Sequence, residues 1–118
     1  MGDTIAAASG FASFTNNVTG TAILILDAVL NVTTISTGAC TFDIGTTATS
    51  ATTTSDNIFD GIDVGAGTGI YVMRDAALDS AANVGVKSLA NGKWVTVDEK
   101  TGDAEGMVGV LYIFYIEV

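Results

Sequence analysis

The chain has 118 residues, 48% of them hydrophobic, with 14 glycines, no proline, and 4 cations against 13 acids for a formal charge of −9. That length suits one domain with one core, and that apolar share excludes a chain disordered by composition. All four cations (Arg74, Lys87, Lys93 and Lys100) lie in the second half, so residues 1–73 have nothing with which to displace counterions from a phosphate backbone, and nucleic acid is not expected as a partner.

Residues 1–21 are small and polar around two aromatics, Phe11 and Phe14. They show no clear period and predict an arm with a short strand near Phe11 to Phe14, ordered by something that holds it, such as another subunit. Residues 22–118 are expected to form a single β-domain. The stretch from Met1 to Ala8 lacks the basic start of a signal peptide, and Ala6 departs from the myristoylation pattern. The longest apolar run, Ala22 to Leu30, is broken by Asp27 and is too short to span a bilayer. No membrane partner is expected. The sequons at Asn17 and Asn31 read as chance in a threonine-rich chain.

Thr21 to Ser36 is rich in β-branched residues and predicts a strand, with Asn31 marking a bend. Thr41 to Gly45 predicts a short strand ending in a turn. Thr46 to Ser55, all Thr, Ala and Ser, predicts a surface loop. Ile58, Phe59, Ile62 and Val64 suggest one buried turn or helical coil. Gly65 to Gly69 forms a corner before a strand at Ile70 to Met73. The last third reads as a meander: a strand from Val84 to Leu89, a hairpin at Asn91-Gly92, a return through Trp94 to Val97, and a charged loop from Asp98 to Asp103.

Met107 to Val118 is the strongest strand, apolar on both alternating faces, which predicts burial on both sides, by the subunit's own core or by a neighbour. Short strands with turn signals at regular spacing predict an all-β fold. The expected form is a β-sandwich or jelly-roll-like barrel with an extended N-terminal arm.

Chemistry is scarce. The chain has no histidine, which removes His-dependent triads and the commonest zinc sites. No catalytic residue, metal ligand or cofactor is assigned, and the chain is not read as an enzyme. Cys40, the one cysteine, reads as a small buried hydrophobe. Asp56, Asp60 and Asp63 form the densest acidic cluster, but the spacing fails the EF-hand pattern, and capping or turn hydrogen bonding is the better reading. Gly65, Gly67 and Gly69 fit neither the dinucleotide fingerprint nor a phosphate loop. Trp94, Tyr112, Phe114 and Tyr115 make an aromatic-rich end suited to core or subunit packing, and with Phe11 and Phe14 they are the candidate interface residues.

From Phe42 onward the sequence resembles a family of small tailed-phage virion proteins. The shared phrases are Phe42 to Thr47, the polar stretch Thr46 to Ser55, Asn57 to Gly65, Lys93 to Thr96, and Gly106 to Tyr115. The resemblance covers roughly residues 42–118, and the first forty residues match less well. It implies a capsid decoration (cement) protein on the outer surface of a phage head. The implied partners are the major capsid protein and further copies of the chain in a homotrimer. A spike, fibre or tail component is the structural alternative. An acidic DNA mimic is a third reading, weakened because the carboxylates follow no visible period.

Overall fold

The computed structural model describes residues 2–7, 12–18, 20–73 and 85–118. These residues form nine strands: β1 (Gly2–Ala7), β2 (Ala12–Thr15), β3 (Ile23–Thr34), β4 (Cys40–Thr47), β5 (Phe59–Asp63), β6 (Gly69–Val72), β7 (Lys87–Leu89), β8 (Trp94–Gly102) and β9 (Met107–Glu117). They make two antiparallel sheets. The first runs β1-β9-β3-β6, with β7 also on the β6 edge of β3, and the second runs β2-β8-β4-β5. The all-β sandwich expected from the strand pattern is the architecture observed.

Alternation builds the core. Ile23, Ile25, Ala28, Leu30 and Val32 of β3 and Met107, Leu111 and Ile113 of β9 are buried on the inner side of the first sheet. Phe42 and Ile44 of β4, Val95 and Val97 of β8, and Phe59 and Ile62 of β5 line the second. Full burial of one such side chain is worth roughly 2 kcal/mol over exposure. At Gly109 on the inner face, a Cβ would sit 3.0 Å from the Asn31 carbonyl oxygen and 3.0 Å from the Met107 methyl, so a side chain there would push its neighbours aside. Cys40 is buried, and burial, with Glu99, Asp103 and Asp63 adding repulsion, pushes its thiol up to about 11. It stays protonated and inert.

Several local expectations change. Asn31 marks no bend: it pairs with Val110 on one side and Ile70 on the other, inside a continuous strand. The irregularities of β3 lie between Ile25 and Asp27 and between Val32 and Thr34, where an extra residue shifts the register. Ile58, Phe59, Ile62 and Val64 are all buried, but through strand β5 and its flanks, not a helical coil. A bulge opposite Asp43, with Gly61 at φ 73°, produces the uneven spacing that mimicked a helix. Of the strand expected over Val84 to Leu89, Lys87–Leu89 forms, and Val84 lies outside the described residues.

The last third is not a meander. Asn91 and Gly92 do turn, with Gly92 at φ 73°. But β7 pairs with β3 and β8 with β2 and β4, so the turn passes from one sheet to the other. Asn16, buried, anchors that crossing. Its Nδ2 donates to the carbonyls of Leu89 (3.0 Å) and Thr21 (3.2 Å), its Oδ1 accepts from Val18 N (3.1 Å), and its main chain bonds Lys93 O and Gly92 N. Within the stretch expected as an arm, β1 pairs with β9 and β2 pairs with β8, so the N-terminal strands edge one sheet each.

Candidate interaction surface

The two outer faces of the sandwich differ in what covers them. On β9 the inward set is Met107, Gly109, Leu111 and Ile113, which leaves Val108, Val110, Tyr112, Phe114 and Ile116 pointing outward, with Val118 continuing the row. Burial on both sides was expected for this strand. Instead the outward row emerges into solvent: Tyr112 is 41% exposed, Phe114 53%, Ile116 47% and Val118 62%.

The neighbouring strands widen the row into a patch. Val29 of β3 lies opposite Tyr112, and Val72 of β6 lies opposite Val29, so three apolar residues run side by side across the sheet. Leu24 lies opposite Ile116. Ile70, on the same face of β6 and next to Asn31, is 66% exposed. Among the described outward residues of β3, β6 and β9, Asp27 is the one charged group. It pairs opposite Phe114, and its Oδ1 accepts from Ala28 N at 2.9 Å. A chain of charge −9 thus keeps one broad face nearly free of charge. Charge depletion with aromatic enrichment is the composition of an interface core.

Part of the second sheet's outer face is roofed by its own chain. The 48–57 loop lies over the paired residues Gly45 and Thr96. Thr96, buried, donates its Oγ1 proton to Thr53 O at 2.9 Å. Asn57 closes the loop, accepting from Thr46 N at 2.8 Å and donating to Thr46 Oγ1 at 2.9 Å. Gly45 has no room for a side chain: a Cβ there would lie 2.7 Å from the Ser55 carbonyl carbon.

Beside the roof, carboxylate oxygens of Asp43, Asp56 and Asp60 converge within 4.8 Å. The Lys100 ammonium bonds Asp60 and lies 3.8 Å from Asp43. The cluster thus carries its own cation, and the hydrogen bond to Asp60 holds the Lys100 amine above its ordinary value. Burial is the main cause that raises the Asp43 carboxyl, against the Gly61 N–H (2.9 Å) and Lys100, which favour its charged form. Asp63, grouped with Asp56 and Asp60 by sequence, is elsewhere and accepts from Gly65 N at 2.9 Å in a turn. The bulge on β5 brings Asp43 in its place, a pairing invisible to local spacing.

The candidate residues therefore separate. Tyr112 and Phe114 stand on the bare face. Tyr115, on the opposite side of β9, is partly buried and packs against the core, as does Phe14 of β2. Trp94 belongs to the second sheet, opposite Thr15 and Thr47, with Lys93 Nζ 5.5 Å from its ring centroid. Phe11 lies outside the described residues. Ile116 and Val118 were legible from the alternation of β9, whereas Leu24, Val29, Ile70 and Val72 needed the register of β3 with its neighbours.

No protein-family model and no curated protein matches the chain. Among solved structures it is similar to a chain of the acidic stable capsid structure of Helicobacter pylori bacteriophage KHP30. The TM-score is 0.42 at 19% sequence identity, covering 100% of this chain and 98% of that one.

Proposed function

We propose that this chain is a virion structural protein that decorates the outer surface of a phage head, docking on the major capsid protein through the bare face of its first sheet. The observation that carries this reading is the row Tyr112, Phe114, Ile116, extended over Val29 and Ile70, on a face that is nearly uncharged in an otherwise acidic molecule. Two further features support it. The phrases from Phe42 to Tyr115 resemble small tailed-phage virion proteins, and a rigid sandwich repeated over a lattice turns weak contacts into stable coverage by multivalency. The acidic remainder suits an exterior position better than a DNA-facing one. The resemblance also implies assembly as a homotrimer.

The test is rebinding. Purified protein added at micromolar concentration to heads lacking it should bind and raise their melting temperature. Phe114→Ser combined with Ile116→Ser should abolish binding while leaving the fold intact. No binding by the wild-type chain, or labelling that places it on the tail or at a vertex, would overturn the reading.

A further inference from the structure

Asn91-Gly92 is the one Asn-Gly pair in the chain; every other asparagine precedes asparagine, valine or isoleucine. Asparagine before glycine is the pair most open to deamidation, because no side chain shields the following amide nitrogen. In that reaction the Gly92 nitrogen loses its proton to base and attacks Cγ of Asn91. The Cγ–Nδ2 bond breaks, the nitrogen takes up a proton and leaves as ammonia, and a succinimide remains. Water then opens the ring to aspartate or isoaspartate. The structure ties down both reacting groups, and ties them to the same segment. Gly92 N donates to Asn16 O at 2.8 Å. Asn91 Nδ2 donates to Val18 O at 2.6 Å. Asn91 and Gly92 are themselves exposed, so water is at hand.

We infer that Asn91 is a deamidation site held in check by the segment from Asn16 to Val18, and that its conversion in turn loosens that segment. Cγ cannot swing onto Gly92 N while Nδ2 is held by Val18 O. Gly92 N cannot shed its proton while that proton is shared with Asn16 O. The turn adds a third restraint. Lys93 N donates to Ala90 O at 3.1 Å, and Gly92 at φ 73° follows a negative φ at Asn91, the type II arrangement. Lifting the 16–18 segment frees both reacting groups at once. What keeps it down is the buried Asn16 side chain, bonded to Leu89 O and Thr21 O, and Val18, partly buried against the core. The product carries a carboxylate where the amide was. It cannot donate to Val18 O, and two acceptors then face each other, so the segment does not settle back. The change runs one way: a lapse of this contact is written into the chain as a charge. This holds whatever the outer face of β9 binds.

Incubation of the folded full chain at mildly alkaline pH, followed by peptide mass mapping, reads the amide-to-acid mass gain at Asn91. The folded wild-type chain should convert about tenfold more slowly, or slower still, than the same chain unfolded in urea. Val18→Ala trims the packing of the segment, and Asn16→Ala removes its side-chain anchors. Each should speed conversion several-fold while circular dichroism still shows the folded sandwich. Thr96→Val weakens the roof of the second sheet instead, and should leave the rate at the wild-type value. Asn91→Asp, which supplies the product directly, should speed amide hydrogen exchange at Asn16 and Gly92 by about fivefold. Equal rates in the folded and unfolded wild-type chain overturn the inference. So does a rate in folded Val18→Ala no higher than in the wild type, and that variant alone decides if Asn16→Ala does not fold. Unchanged exchange in Asn91→Asp overturns the reciprocal loosening.

Discussion

One outer face of this sandwich is partly covered by its own chain and the other is left bare. Over the second sheet, loop 48–57 lays threonine and asparagine hydrogen bonds on Gly45 and Thr96, and Lys100 is set among three aspartates. Over the first sheet, phenylalanine, tyrosine and isoleucine side chains stand in solvent. Both sheets share the same core, so the difference is not a matter of folding the monomer. Among the described strand residues, the exposed large apolar side chains (Ile70, Tyr112, Phe114 and Ile116) all belong to the first sheet.

Substitutions should expose that asymmetry. Gly45→Val drives a side chain into Ser55 and lifts the roof. It should cost about 3 kcal/mol in urea unfolding, in the manner of an overpacked core. Thr96→Val keeps the shape but leaves Thr53 O without its donor, a loss of about 1 kcal/mol. On the bare face, Phe114→Ser and Ile116→Ser should each change stability by no more than about 0.5 kcal/mol, and their effect should appear in capsid binding. A large loss of monomer stability from either would mean that the bare face is part of the core.

The smallest effect is electrostatic and belongs to the roofed face. Asp43 has its folded value raised above the ordinary 3.8, chiefly by burial. Its protonated form therefore favours the native state. That contribution is present in full below pH 3.8 and is lost as pH rises through the folded value. Asp43→Asn keeps an acceptor for Gly61 N but has no proton to lose. The stability of the wild-type chain relative to this variant should fall as pH is raised from 3.8 through the weakly acidic range, by melting temperature. A rise over that range would mean that Lys100 and the Gly61 N–H outweigh burial.

By itself the sequence determined the class of fold. Threonine and β-branched runs between glycines have a period of two, and that period is a property of the strand alone. It placed β3, β4 and β9, marked Cys40 for burial, and sorted β9 into two rows. Tertiary structure alone decided which strands share a sheet. The Asn91-Gly92 turn looked like a hairpin because the local backbone is the same whether the chain returns beside itself or crosses to the opposite sheet. What separates the two is pairing with β3 and with β2, residues more than sixty positions away in sequence. The same holds for Asp43, carried to Asp56 and Asp60 by the register of β4 with β5. It holds most of all for the outer face of β9: a two-sided apolar strand must be covered by something, and local pattern cannot say whether that cover is the chain itself or a partner.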